Sequence, residues 1–250
     1  MPTPTSLLNA LRSETTKVLS MRSSVVYTIL MVGSLSAPVA LFMIFADAPD
    51  QVVDWALLSA GAMIFQIVAI IFAAATTAGD IRNNMHAQAF LTQSDRSLWI
   101  LAKVVVTMVF TAVTYLVGTA LALVAGLAFG GTAELGTGVA QFGASLLGSV
   151  VFAAVSVGLA AVIRSQVGAV ALPIVWLMVI EGMIAMGTAY YEWLRPVAAL
   201  APGLRQGQLA YGADPYDLGV STVGCYVILV GWVVVMTGLG LWRNARTDVR

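Results

Sequence analysis

The sequence has 250 residues, 60% of them hydrophobic and 10% charged, with 12 basic residues balanced by 12 acidic ones. A mean hydropathy of +0.92 excludes an ordinary soluble domain, in which about 25% of residues are charged. Zero net charge without a basic face excludes nucleic-acid binding, which needs cations to neutralise phosphates. No polar stretch reaches the roughly 50 residues of a small soluble domain, so no attached ATPase, kinase or dehydrogenase domain is expected. The expectation is an all-α integral membrane protein, a single transmembrane domain over 1–250.

In chain order, residues 1–24 come first. Leu7, Leu8, Leu11, Thr15, Val18 and Leu19 recur at helical spacing, with Arg12, Ser13, Glu14 and Lys17 towards the other side. This predicts an amphipathic helix in the membrane interface, with Thr5 or Ser6 capping its start after Pro4. Six apolar runs of the roughly 20 residues needed to cross a bilayer follow: Val25–Ala46, Trp55–Ala78, Ile100–Phe129, Val139–Ile163, Val167–Tyr190 and Leu218–Trp242. The third is overlong and is expected to begin near Val104, with Ile100 to Lys103 at the interface. The first is too long for a cleaved signal sequence and lacks a small-residue cleavage site.

Lys and Arg orient the spans. The N-terminal arm, the connection after span two, the turn Arg164–Ser165–Gln166 and the tail hold 10 of the 12 basic residues. The other connections hold only Arg195 and Arg205, against Asp47, Asp50, Asp54, Glu134, Glu192, Asp214 and Asp217. Both termini are therefore expected in the cytoplasm, in a bacterial-type cytoplasmic membrane.

Two connections are long. Residues 79–99 form a polar cytoplasmic segment. Residues 191–217 are external, and Tyr191 to Gly203 is too apolar for a solvated loop yet too broken by Pro196 and Pro202 to span. It is expected either as re-entrant helices or as an amphipathic cap on the outer leaflet. Within the spans, Gly224, Gly231 and Gly238 share one face of span six, and Ser145, Ser149, Ala153, Ser156 and Ala160 form a small-residue stripe on span four. Both suit close helix approach. Pro38 and Pro173 are expected to kink spans one and five.

Chemistry is sparse. Glu181 is the single formally charged residue well inside a span, about 21 Å along its helix from Val167 at 1.5 Å per residue. A carboxylate there must face protein or water, or be protonated. With Thr188 on its face it is a candidate for a substrate or proton path; equally it can be a hydrogen-bonded interhelical contact or one open to an external vestibule. Met178 and Ala185 are expected to share that stripe. Gln66 and Gln141 read as interhelical contacts. Cys225 is the one cysteine, so no intrachain disulfide forms. His86 has no second ligand nearby and reads as a loop histidine. No Walker-type glycine loop, paired carboxylates within a span or intramembrane Ser–His arrangement is present, so no enzyme is expected.

The segment from Gly79–Asp80–Ile81–Arg82 through Leu91, Arg96 and Ala102–Lys103 resembles the coupling segment of type-2 ABC transporter permeases. In that family an acidic residue after span two precedes a short helix, a leucine-containing turn, an arginine and an Ala-Lys pair opening span three. A Gly-Thr pair usual in the short helix is replaced around His86–Ala87–Gln88, and a proline before the arginine by Gln93 or Ser94. The chain is also similar in its elbow helix with a Glu-x-x-Lys, here Glu14 to Lys17, its six spans and its Pro-containing external segment around Ala201–Pro202–Gly203.

The resemblance implies a permease that pairs with a second copy or a similar permease and binds two separate ATP-binding cassette ATPase subunits. ATP and Mg would sit on those partners, with no cofactor on this chain. It implies a coupling set of Asp80, Arg82, Asn83, Asn84, His86, Gln88 and Arg96. Charge reversal at Asp80 or Arg96 is expected to uncouple hydrolysis from transport without unfolding the spans. The apolar composition suits export of a lipid, an amphipathic antibiotic or a hydrophobic peptide. The alternative is an ion- or proton-coupled secondary transporter or channel, for which long connections at matching places in the two halves speak.

Overall fold

A computed structural model of the chain describes residues 4–45, 51–83 and 97–246. Helix α1 (Pro4–Ser20) is followed after a single residue by α2 (Arg22–Phe45). A two-residue strand β1 (Val52–Val53) leads into α3 (Trp55–Leu58) and α4 (Ala62–Arg82), then α5 (Ser97–Ala128), strand β2 (Thr132–Ala133) and α6 (Val139–Ile163). The fifth span is composite: α7 (Gln166–Val175), a π-helical turn (Trp176–Ile180) and α8 (Glu181–Gly187). Helices α9 (Arg195–Ala199) and α10 (Pro202–Tyr211) precede α11 (Thr222–Arg246). Among the described residues six helices are long and apolar enough to cross a membrane, with α3–α4 and α7–α8 each counted as one. The chain is an all-α, multi-pass membrane protein.

Span boundaries move by a few residues where polar ends are wound into helix. The helix of span three begins at Ser97, so that Ile100 and Lys103, expected at the interface, are wound into it and buried against protein. Span two, expected unbroken, is interrupted at Ser59–Gly61. There the backbone of α2 comes so close that a Cβ on Gly61 would lie 1.7 Å from the Ser34 carbonyl oxygen. Two connections at the acidic end are clipped by the small parallel ladder, Val52 opposite Thr132 and Val53 opposite Ala133. The Trp55 indole N–H donates to the Leu135 carbonyl at 2.9 Å. The ladder was outside the helix-only expectation, since two-residue strands leave no periodic pattern to detect.

Span four, α6, is the most buried of the six and forms the hub. Its small-residue face meets α4 on one side and α11 on the other, with Ser149, Ala153, Ser156 and Ala160 buried. The approach to α11 is made at Gly158, where a Cβ would stand 2.4 Å from the Met236 carbonyl oxygen. Gly240 sits opposite, and a Cβ there would reach Ala161 and Gly158 at 3.2 Å. The glycine face expected on span six does not serve this contact, for a Cβ on Gly231 or Gly238 would meet nothing within 4 Å. Between α2, α4, α5 and α6 the core holds two chains of rings, Tyr27–Phe72–Phe110 and Phe65–Tyr115–Phe142, with centroids 4.7–5.6 Å apart.

Alternation of the spans places the basic ends together. Arg164, in the turn between α6 and α7, has its pKa lowered by burial and then by Arg243 at the end of α11.

Candidate functional site: two polar clusters on span two

The first cluster lies at the basic end, where α1, the last turn of α4 and the second turn of α5 meet. Glu14 and Lys17 are three apart on α1 and so share a face. The Lys17 ammonium is 2.6 Å from Glu14 Oε1 and 3.2 Å from Asp80 Oδ2. Lys103 Nζ lies 2.9 Å from Asp80 Oδ2 and 3.4 Å from Glu14 Oε2. Glu14, Asp80 and Lys103 are almost wholly buried. Two ammoniums alternate with two carboxylates in a closed ring of four, so the buried charge sums to zero. For Lys17 burial alone would lower the pKa, but hydrogen bonding and attraction from Glu14, with Asp80 behind it, raise it above the ordinary lysine value. A ring of this kind stabilises little relative to apolar packing, yet removing one member strands a buried charge.

Sequence reasoning had Glu14–Lys17, Asp80 and Ala102–Lys103 as three separate matches and gave no sign that they touch. Burial revises the expected consequence of charge reversal at Asp80. A lysine there would put three ammoniums around Glu14, so Asp80→Lys is expected to destabilise the fold. Arg82 and Asn83, in the last turn and cap of α4, are exposed and outside the ring. Asn84, His86, Gln88 and Arg96 lie outside the described residues.

The second cluster is near the acidic end. Helix α10 starts with Pro202, and its cap residue Ala201 offers no side-chain acceptor. Glu181 supplies one from α8: Leu204 N–H donates to its Oε2 at 2.9 Å, and the Gly203 N–H faces the same carboxylate. The carboxylate thus sits at the positive end of the helix dipole. Gly203 is required, since a Cβ there would be 2.6 Å from Glu181 Oε2. Of the roles open to Glu181, the structure shows the interhelical contact; its Oε1 is buried and forms no hydrogen bond, and the Trp176 indole and the Arg205 guanidinium face the same carboxylate. Thr188 donates within its own helix, to the Ala185 carbonyl at 2.6 Å, and is not brought to the cluster. Met178, expected on the same stripe, is exposed. The π-helical turn after Pro173 inserts an extra residue and breaks the 3.6 register between the two positions.

Helix α10 packs on α6 and α11. Its Gln206 passes over α6 at Gly148, where a Cβ would be 2.0 Å from the Gln206 amide carbon. Beyond it the amide meets Gln66 of α4 in a reciprocal pair: Gln66 Nε2 to Gln206 Oε1 at 3.1 Å, and Gln206 Nε2 to Gln66 Oε1 at 3.0 Å. Arg205 is buried and donates to Gln208 Oε1 at 2.5 Å. The Trp232 indole N–H of α11 donates to the Leu200 carbonyl at 2.8 Å. A cavity of about 300 Å³ opens beside the amide pair, its polar lining supplied by Ser59, Gln66, Gln141, Ser145, Gln206 and Tyr211. Gln66 was foreseen as an interhelical contact; Gln206 was not, because nothing local marks its partner 140 residues away.

Residues 17–250 match the family described as "Protein of unknown function (DUF2705)". The chain belongs to that family. No curated protein matches it. The DUF2705 match takes in both clusters except Glu14, which precedes its first residue by three. Among the described residues of this DUF2705 chain, no group of three His, Cys, Asp or Glu side chains is placed to hold a metal ion.

Proposed function

We propose that this chain is the membrane-spanning permease subunit of an ABC exporter, powered by two separate ATPase subunits that bind ATP and Mg. It pairs with a second permease copy, identical or similar, with both termini in the cytoplasm of a bacterial-type cytoplasmic membrane. The observation that carries the proposal is the ionic ring. The polar connection 84–96 leaves α4 just after Asp80 and joins α5 just before Lys103, and both residues are clamped to Glu14 and Lys17 of the elbow helix. A push on that connection from an ATPase moves α1, α4 and α5 as one piece, which is what coupling requires. The residues of the ring are also among those on which the resemblance to type-2 permeases rests, beside Leu91, Arg96 and the segment around Pro202.

Helices α9 and α10 then form the re-entrant hairpin that closes the outer end. The uncharged amides and hydroxyls of the cavity beside Gln66 and Gln206 suit the polar head of an amphipathic lipid, antibiotic or peptide better than a highly charged polymer. The chain has no catalytic site in this proposal.

The test is purification from the native host in mild detergent. A stand-alone ATPase recovered near one-to-one, with hydrolysis altered by the permease, supports the proposal; a lone chain with no such partner overturns it. One observation favours the ion- or proton-coupled secondary transporter instead: Glu181 Oε1 is buried and forms no hydrogen bond, which leaves it free to carry a proton. In that case Glu181→Gln abolishes proton-driven uptake in vesicles, whereas in the ABC proposal it leaves ATP-driven transport largely intact.

A further inference from the structure

Between α1 and the first turns of α5 runs an apolar groove of about 370 Å³, walled by Leu11, Val18 and Leu19 on one side and Val105, Val109 and Val113 on the other. We propose that it binds one acyl chain of an anionic phospholipid, whose phosphate is received by the Arg12 guanidinium at the groove's edge. This site is independent of whatever the protein transports.

The three valines stand four residues apart, so they form a strip about 12 Å long at 1.5 Å per residue. That is close to the roughly 15 Å hydrocarbon depth of one leaflet, half of a core about 30 Å thick. Val109 and Val113 are more than half exposed and form an open wall, while Val106 is buried and forms the floor, with Val18 of the opposite wall buried against it. An apolar trough of that length buries a methylene chain favourably at each carbon.

Charge selects the headgroup. Arg12 is exposed; it does not line the groove but stands where the apolar face of α1 passes into its polar face, one residue after Leu11 and one turn before Thr15, on the groove's flank. Among the described residues it has no carboxylate within ion-pair distance, whereas Lys17 and Lys103 are committed to Glu14 and Asp80. The ionic ring contributes no net charge, so among the described residues beside the groove Arg12 is the cation left for a ligand. A phosphate diester with no cation of its own neutralises it; a zwitterionic headgroup brings a competing ammonium. The groove also lies at the basic end of the bundle, the side that Lys and Arg asymmetry assigns to the leaflet rich in anionic lipid.

The test is reconstitution of the full chain in bilayers of equal dioleoyl-phosphatidylglycerol and dioleoyl-phosphatidylcholine, re-extraction and native mass spectrometry of retained lipid. The expected result is one phosphatidylglycerol held per chain in preference to phosphatidylcholine. Arg12→Gln weakens that retention about fivefold, the effect of one basic residue at an anionic surface. Val109→Trp, which fills the groove, removes it, and Val113→Trp does the same should the first variant fail to fold. Equal retention of both lipids overturns the proposal. So does phosphatidylglycerol retained unchanged in both tryptophan variants. If those variants convert a dimer to a monomer while the lipid stays bound, the groove belongs to a second copy of the chain and the proposal fails.

Discussion

The two ends of α4 solve the same problem with different chemistry. At the basic end Asp80 enters a ring of four charges from three helices; at the other end Gln66 joins a neutral amide pair. They are 14 residues apart on one helix, about 21 Å at 1.5 Å per residue. In a ring of buried charges every member depends on the others, so the joint is costly to open. An amide pair exchanges its two hydrogen bonds for bonds to water at little net cost. A rigid joint beside the proposed ATPase contact and a releasable one beside the hairpin are what a lever needs at its driven and its working end.

The comparison breaks if the two joints cost the same to cut. Lys103→Met leaves two buried carboxylates against one ammonium and is expected to destabilise the protein by about 3–5 kcal/mol, read from unfolding in mixed micelles. Replacing all four members by apolar residues of similar size is expected to restore most of that stability. In the proposed transporter it would still abolish the stimulation of hydrolysis, which separates folding from coupling. At the other end Gln66→Leu strands the Gln206 amide and costs about 1–3 kcal/mol. Gly148→Ala displaces the same amide from above, and its effect should be far from additive with that of Gln66→Leu. Additive losses would mean that the two amides do not act as a pair.

Glu181→Leu removes the acceptor at the start of α10 and is expected to cost about 1–2 kcal/mol, the value of a lost helix cap. Glu181→Gln keeps a carbonyl oxygen for the Leu204 N–H and should recover most of it, as melting temperatures of the two variants would show. The smallest effect concerns pH. The pKa of Lys17 is raised in the folded protein above its ordinary 10.5, so its contribution is complete below that value and is lost only as pH rises through the folded pKa. Stability attributable to Lys17, taken as the difference from Lys17→Met, should be flat from pH 7 to about 10 and decline only above. A decline centred near neutrality would contradict the ion pairing described for Lys17.

The spans could be read from the chain because hydrocarbon imposes a local rule: about 20 apolar residues must be wound together, and no distant partner relaxes it. The same holds for the gathering of basic residues at one end, which follows from the alternation of helices alone. The amphipathic pattern of α1 was legible too, since a face recurs every 3.6 residues. Even Gln66 could be marked as a contact-maker, because an amide inside a span has to bond to something.

What it bonds to was decided only in three dimensions. The ring joins residues up to 89 positions apart, Glu14 to Lys103, and the amide pair spans 140; no local rule selects such partners. Glu181 was conspicuous as a charge, but its task depends on α10 beginning its first turn at that spot with Gly203 leaving room. The glycines teach the same. Gly224, Gly231 and Gly238 announce a shared face by spacing, yet the tight crossing falls at Gly158 and Gly240, because close approach depends on which two helices meet and at what height. Length and hydropathy determined that this chain is a six-span helical membrane protein. Tertiary packing decided which of its few polar groups work together, since a buried polar group takes its meaning from the partner that packing brings to it.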